Sequence, residues 1–170
     1  MQQLGDKVAI REKNFGICES FAWADYGHKA REIGMGLLAL GLSRGDVCSI
    51  VSENNNEWLF TDMGILGSGG VTSGVYTTDS SKQLEYLVTD SATRFLFVEN
   101  EEQLDKWLRF RNQAPKLRKW VDSATEGLRQ FNDPLVMSVE DLLARGGGVA
   151  AEGPGAVGAR VDAGAAREVG

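Results

Sequence analysis

The stretch RGDVCSIVSENNNEW, residues 44–58, decides the fold class predicted for this chain. Within it, VCSIV is short, mostly apolar and rich in β-branched side chains, which is typical of a buried strand. Three asparagines follow almost at once. Because Asn tolerates left-handed backbone and accepts hydrogen bonds from helix-start amides, the stretch predicts a strand that turns directly into a helix. Asn55 or Asn56 is expected near the N-cap of that helix.

Amphipathic helices are predicted on both sides of this strand. Between residues 22 and 40, apolar side chains recur at alternating steps of four and three and share one helix face: Tyr26, Ala30, Ile33, Leu37 and Leu40. Gly41 marks the C-terminal end of that helix. In the helix after the asparagines, four apolar side chains are expected to face the core: Trp58, Leu59, Ile65 and Leu66.

Strands and helices continue to alternate further along the chain. Residues 69–76 are β-prone between glycines, and residues 94–99 form another compact apolar strand. Between them, Ser80 and Gln83 have the spacing of a capping box at the start of a helix. This order of elements predicts further strand–helix units after the first.

The last predicted elements complete the fold class. Residues 101–114 open acidic and close basic before Pro115, as a helix should. Residues 119–121 are interpreted as a short strand and residues 138–144 as a short helix with capping-box spacing at its start. Alternating strands and helices predict an α/β fold in which a mostly parallel sheet is covered by helices on both faces.

Composition and charge argue against several functions. The chain has 170 residues, is 42% hydrophobic and 25% charged, and carries a net charge of −6. This acidic balance argues against a nucleic-acid partner, which needs clustered Lys and Arg. No basic amphipathic helix is visible, so membrane contact is expected to be peripheral at most. The sequence shows neither a signal-peptide pattern nor an 18-residue apolar span, so the predicted location is cytoplasmic.

Residue types that usually carry catalysis or bind metals are sparse. Cys18 and Cys48 lack CxxC spacing and neighbouring histidines, so both are interpreted as reduced structural thiols. His28 is the only histidine, which excludes a site with two imidazoles. No GxxxxGK[ST] phosphate loop occurs, and the glycines of residues 64–70 precede a strand, the wrong order for a dinucleotide fingerprint. These patterns identify no catalytic, cofactor-binding or metal-binding residue.

The segment VYTTDSS, residues 75–81, is open to two interpretations. It could place hydroxyl groups at the carboxyl end of a strand, where open α/β sheets bind ligands. A capped turn explains the same residues, and it is the favoured interpretation because Ser80 and Ser81 have no base identifiable in the sequence.

Residues 146–170 differ in composition from everything before them. Gly and Ala make up fifteen of these twenty-five residues, and the segment has no aromatic residue, Ile or Leu. Such a segment buries too little apolar surface to offset the entropy of ordering it, so a disordered tail is predicted. An out-of-frame read of GC-rich DNA gives this bias, and so does an ordinary flexible linker. Residues 1–145 are expected to form the folded unit.

Five loose motifs occur in order along the chain: W-x-x-Y, GL-x-x-LG-x-x-x-GD, N-x-x-EW, G-x-V-x-x-x-VY-x-T and VEN-x-x-QLDK. In order and spacing they resemble the N-terminal part of the adenylate-forming acyl-CoA synthetases, the AMP-binding superfamily. The resemblance covers about residues 4–145 and is closest to the branch acting on long-chain fatty acids. Five motif positions are expected to be structural: Asn54, Glu57, Trp58, Tyr76 and Thr77.

The resemblance implies a two-step ligase. A carboxylate attacks the α-phosphate of Mg-ATP to give an acyl-adenylate and pyrophosphate, and the thiol of coenzyme A then displaces AMP. ATP, magnesium, coenzyme A and a fatty acid are therefore implied for the whole family. The phosphate loop ending in Pro-Lys-Gly and the C-terminal domain with its catalytic lysine do not occur in these 170 residues. The chain is thus predicted to be a truncated ligase that is inactive alone and has no cofactor of its own.

Two alternatives from other classes stay open. A binding or interaction module would use an exposed apolar face and would show dye binding and self-association in a folded protein. A non-functional gene fragment would instead melt without cooperativity.

Overall fold

The structure, a computed structural model, describes residues 4–14, 16–122 and 133–152. It contains a two-stranded antiparallel hairpin and a five-stranded parallel sheet. The hairpin strands are β1 (Val8–Asn14) and β2 (Ile17–Ala22). The sheet strands are β3 (Val47–Val51), β4 (Val71–Val75), β5 (Phe95–Val98), β6 (Lys119–Asp122) and β7 (Val136–Ser138).

In the part of the chain that the structure describes, five α-helices cover this sheet. They are α1 (Trp23–Ala39), α2 (Asn56–Gly67), α3 (Ser81–Asp90), α4 (Glu101–Leu108) and α5 (Val139–Glu152). The first, second and fifth helices pack on one face, where Leu37, Phe60 and Leu142 meet Ile50 and Phe97 of the sheet. The third and fourth pack on the other face, with their own buried cluster. The predicted α/β fold with a mostly parallel, doubly covered sheet is confirmed.

The order of strands in the sheet is β4-β3-β5-β6-β7, and all neighbouring pairs are parallel. The chain therefore leaves β3 toward one side to form β4 and returns to the other side to form β5. This reversal of direction lies between β3 and β5, and it positions the candidate site described below.

The turn between β3 and α2 forms as predicted. Val47–Val51 is a strand, and all of its residues after Val47 are buried. Asn55 is the N-cap of α2, and its side-chain Oδ1 accepts a hydrogen bond of 2.8 Å from the backbone N–H of Trp58. Ser80 caps α3 with Gln83 in a capping box, again as predicted.

The predicted inward face of α2 is partly wrong. Ile65 is fully buried, but Leu59 and Leu66 are 38% and 48% exposed. The buried face instead includes Phe60 and Gly64. A Cβ on Gly64 would lie 2.8 Å from the carbonyl oxygen of Ala30 in α1, so this glycine lets the two helices approach closely. The close contact with α1 rotates α2 away from the predicted face.

Helix α4 is shorter than predicted. It ends at Leu108, and a 3-10 turn over Arg111–Gln113 replaces the predicted continuation to residue 114. The backbone N–H of Phe110 already donates to the carbonyl of Trp107, a tighter turn than in an α-helix. This tightening accompanies the burial of both Phe110 and Ala114 in the second core cluster.

The prediction of a disordered segment from residue 146 is wrong for residues 146–152, which continue α5. Gly36 and Gly146 explain why. A Cβ on Gly146 would collide with the carbonyl of Glu32, and one on Gly36 would collide with the carbonyl of Leu142. Close packing of α5 on α1 therefore overrides the low helix propensity of glycine. Residues 153–170 lie outside the described residues, and the predicted domain boundary at residue 145 falls inside α5.

Three strands were not predicted. The hairpin of β1 and β2 precedes α1, and β7 precedes α5. None of the helices among residues 4–14, 16–122 and 133–152 is both long and apolar enough to cross a membrane.

Candidate functional site

Open parallel sheets bind ligands at the carboxyl ends of their strands, beside the point where the strand order reverses. In this sheet that point lies between β3 and β5. A polar group of side chains follows these strands and neighbouring β4, and we call it the strand-end cluster: Ser52, Glu53, Asn55, Thr77 and Glu99.

Glu99, just after β5, is hydrogen-bonded to the residues that follow β3. Its carboxylate Oε2 accepts a hydrogen bond of 2.6 Å from the backbone N–H of Glu53 and one of 3.1 Å from the hydroxyl of Ser52. Backbone N–H and Ser hydroxyl groups are also the donors that hold phosphate oxygens in nucleotide sites. The Glu99 carboxylate therefore already uses two donors of the kind that hold anionic ligands in such sites.

Thr77 extends the cluster to β4 and to α4. Its hydroxyl donates a hydrogen bond to the carboxylate of Glu53. Its backbone carbonyl accepts hydrogen bonds from the Lys106 ammonium at 2.5 Å and from the Gln103 side-chain amide at 3.3 Å. The Lys106 ammonium also lies 3.4 Å from the carboxylate of Glu102. The lysine nearest the cluster is thus already held by two groups of the chain itself.

The three asparagines have three different roles. Asn55 caps α2 and donates from its amide to the Ser52 hydroxyl at 3.1 Å. Asn56 is only 4% exposed and donates to the carboxylate of Glu12, which fastens β1 to the start of α2. Asn54 is exposed and lines a cleft. The asparagine run therefore builds both the corner and its contact with the hairpin.

This cleft, of about 260 Å³, lies between β1 and the start of α2. Its walls combine apolar, charged and amide side chains: Ile10, Arg11, Glu12, Asn54, Asn55, Asn56, Trp58 and Leu59. At the strand ends themselves the space is much smaller. A cavity of about 10 Å³ there has Ser52, Glu57 and Trp58 among its walls, which is about the room that one water molecule needs.

The structure brings together some of the predicted motif positions. Asn54 and Trp58 line the cleft, and Glu57 and Trp58 line the small cavity. Thr77 enters the strand-end cluster through Glu53. Tyr76 is 80% exposed and reaches neither space.

Sequence reasoning missed Glu53, Glu99 and Lys106. A signal for the two glutamates was present, because each follows a compact apolar strand within two residues. Their contacts could not be read from the sequence, since they depend on β3 and β5 being neighbours although Ser52 and Glu99 are 47 positions apart in the chain.

Among the described residues, the pKa values of Cys48 and Tyr26 are shifted, and neither residue belongs to the strand-end cluster. Burial, reinforced by the Asp46 carboxylate, raises the pKa of the Cys48 thiol to about 12. This thiol is therefore protonated at neutral pH and is a poor nucleophile. Burial first and the Asp62 charge second raise the pKa of Tyr26. In the part of the chain that the structure describes, no three His, Cys, Asp or Glu side chains group as metal ligands do.

The sequence profile of the AMP-binding enzyme family matches residues 1–140. The chain belongs to this family. Among curated relatives, the bovine (Bos taurus) long-chain-fatty-acid–CoA ligase ACSBG1 is 30% identical over 152 residues, which are 89% of this chain and 21% of the relative. The human (Homo sapiens) ligase ACSBG2 is 32% identical over 64% of this chain and 16% of its own length. The chain thus spans about a fifth of the length of the relatives it matches.

Solved structures of adenylate-forming ligases share the fold. The anthranilate CoA ligase AuaEII in complex with anthranoyl-AMP superposes with a TM-score of 0.67 and 23% identity over 74% of this chain and 23% of its own. Coronafacic acid ligase from Pectobacterium brasiliense gives a TM-score of 0.74 and 15% identity over 84% of this chain and 27% of its own. The predicted resemblance to AMP-binding acyl-CoA synthetases is confirmed.

Proposed function

We propose that these 170 residues are a structural portion of an ATP-dependent fatty acid–CoA ligase and that they do not catalyse adenylation by themselves. The fatty-acid specificity is supported by the curated relatives, which are long-chain-fatty-acid–CoA ligases. In this proposal, ATP, magnesium, coenzyme A and the fatty acid act on a whole ligase, of which the chain matches about a fifth. A cytoplasmic location with at most peripheral membrane contact is part of the same proposal.

The observation that carries the proposal is the position of the Glu99 carboxylate. It takes both the backbone N–H of Glu53 and the Ser52 hydroxyl at the strand ends. A triphosphate placed there would have to displace it. The residues present at this edge therefore do not fit ATP.

The negative charge at the strand ends also argues against ATP binding by this chain. Glu53, Glu57 and Glu99 all lie at the start of α2 or at the strand ends. A phosphate charge about 5 Å from one such carboxylate is repelled by roughly 3 kcal/mol at an effective dielectric constant of 20. Lys106 offsets little of this, because it already contacts Thr77 and Glu102. The strand-end cluster is suited to holding the sheet and its loops together.

The test is ATP–pyrophosphate exchange by the purified chain with magnesium and a long-chain fatty acid. Circular dichroism first verifies that the chain is folded, and the full-length bovine ACSBG1 serves as the positive control. We expect exchange at the background rate from the chain and clear exchange from the control. Exchange above background that scales with the amount of chain would refute the proposal.

A further inference from the structure

The sheet edge formed by β4 carries no charged side chain. β4 pairs with β3 on one side, and no other strand among the described residues pairs with its free side. Its sequence, VTSGV, contains no Lys, Pro or acidic residue, the types that usually keep edge strands from pairing with other chains. The free side of β4 therefore exposes backbone donors and acceptors, and no charged side chain in the strand opposes pairing with another strand.

The outward side of α2, the helix that packs beside β4, is apolar. Leu59, Met63 and Leu66 recur at steps of four and three, and they are 38%, 37% and 48% exposed. Val71, at the start of β4, is also 48% exposed. Exposed apolar side chains next to an unpaired edge are typical of a surface that is covered by another protein.

The sequence of β4, VTSGV, keeps the same residue type at three of its five positions when it is read in reverse. In an antiparallel pair of two β4 strands related by a two-fold axis through Ser73, Val71 of each strand lies opposite Val75 of the other. Thr72 then lies opposite Gly74, and no charges are opposed. A two-fold interface uses the same surface of both copies, so every contact between two residues occurs twice and the surface must be complementary to itself.

Charges at the two ends of β4 are complementary in the same arrangement. Arg44, which precedes β3, lies beside Gly69 just before β4, and it has no ion-pair partner among the described residues. Asp46 beside it is paired with Arg94 at 3.6 Å. Asp79 follows the other end of β4, and there the Thr77 hydroxyl donates a hydrogen bond to the carboxylate of Glu53. Antiparallel pairing places Arg44 of each copy near the acidic end of the other copy.

We propose that two copies of this chain associate through antiparallel pairing of their β4 strands, so that the two sheets become one continuous sheet. The Leu59–Met63–Leu66 stripes of the two α2 helices flank this seam on the same face. Arg44 and Asp79 set the antiparallel direction.

Sedimentation equilibrium of the purified chain over roughly 1–200 µM tests the association. We expect a concentration-dependent mass that rises from one to two times 18.4 kDa. Val71→Lys adds a charge at the edge, and we expect it to remain monomeric over this range. Tyr86→Lys is the matched control, because Tyr86 is a 64% exposed aromatic side chain on α3, outside β4 and on the sheet face opposite α2. This control should associate as the unchanged chain does.

Exchanging the charges of Arg44 and Asp79 distinguishes this dimer from non-specific self-association. Arg44→Glu alone and Asp79→Arg alone should each weaken dimerisation about tenfold, since each brings like charges together across the seam. The double variant, with both changes in one chain, should recover most of that loss. Circular dichroism and thermal melting verify that every variant is folded.

Three outcomes would overturn the proposal. They are a monomer at all concentrations, a dimer that Val71→Lys leaves intact, and a double variant no stronger than either single one. A monomer would indicate that the edge is covered in another way, such as by a further part of a ligase. The association is independent of adenylation, so these results leave the proposed function untouched.

Discussion

Replacement of Glu99 by Ala tests the role of the strand-end cluster. The change removes the acceptor of the Glu53 backbone N–H and of the Ser52 hydroxyl. Hydrogen bonds to a charged group contribute about 1.5–3 kcal/mol each, but water can replace part of the bond to exposed Glu53. We therefore expect the free energy of unfolding to fall by about 2 kcal/mol. For a chain of this size, that lowers Tm by about 4–8 °C.

Urea unfolding followed by Trp fluorescence measures this loss. The stacked, buried pair of Trp107 and Trp120 gives a signal that reports on the core of the second face. Glu85→Ala is the matched control, because Glu85 lies within α3 and its side chain has no partner among the described residues. The control should stay within about 0.5 kcal/mol of the unchanged chain. Equal effects of the two substitutions would refute the idea that Glu99 joins β3 to β5.

Three further predictions concern the corner, the helix contact and the buried thiol. Asn55→Ala should cost about 1 kcal/mol in urea unfolding, because α2 loses its N-cap, and no change would contradict the cap geometry. Gly64→Ala should cost roughly 1–3 kcal/mol, because its methyl group would press on Ala30 and Ile33 in α1. For Cys48, the thiol pKa is raised from 9.0 to about 12, so its stabilising contribution is complete below pH 9 and is lost as the pH rises toward 12. Between pH 8 and pH 10.5 the unchanged chain should lose up to about 2 kcal/mol more stability than Cys48→Ala, and equal losses would contradict the burial of the thiol.

The parts of the fold that depend on neighbouring residues could be predicted from the sequence. The β3 strand and the Asn55 cap follow from short-range rules, since a β-branched apolar run and a capping side chain act within a few residues. The capping box of Ser80 and Gln83 is equally local. These elements alternate along the chain, and this alternation was enough to predict the class of the fold.

Long-range packing accounts for what the sequence did not predict. Helix α2 is apolar on most sides, so periodicity could not show that Gly64 faces α1 while Leu66 faces outward. The glycines of α5 look like helix breakers until their contact with α1 is known, and in that contact Gly146 is the residue that fits. In both cases a glycine carries information only through the helix it touches.

The candidate site shows the same division. The motif positions Asn54, Trp58 and Thr77 were identified by resemblance, and the structure shows their surroundings. The contact of Glu99 with Ser52 and Glu53 depends on the order of the strands, which no local pattern contains. The acidic, closed character of the strand ends was therefore visible only in the folded chain.

Whether this chain can hold ATP at its strand ends is tested most directly by titrating the folded chain with Mg-ATP in an isothermal calorimeter. We expect no saturable binding up to millimolar nucleotide, because the Glu99 carboxylate already holds the donors at the strand ends. Saturable binding near one nucleotide per chain, weakened by a substitution at Ser52, would contradict it. Such a result would show that the strand ends of this chain accept a polyphosphate despite their own carboxylates.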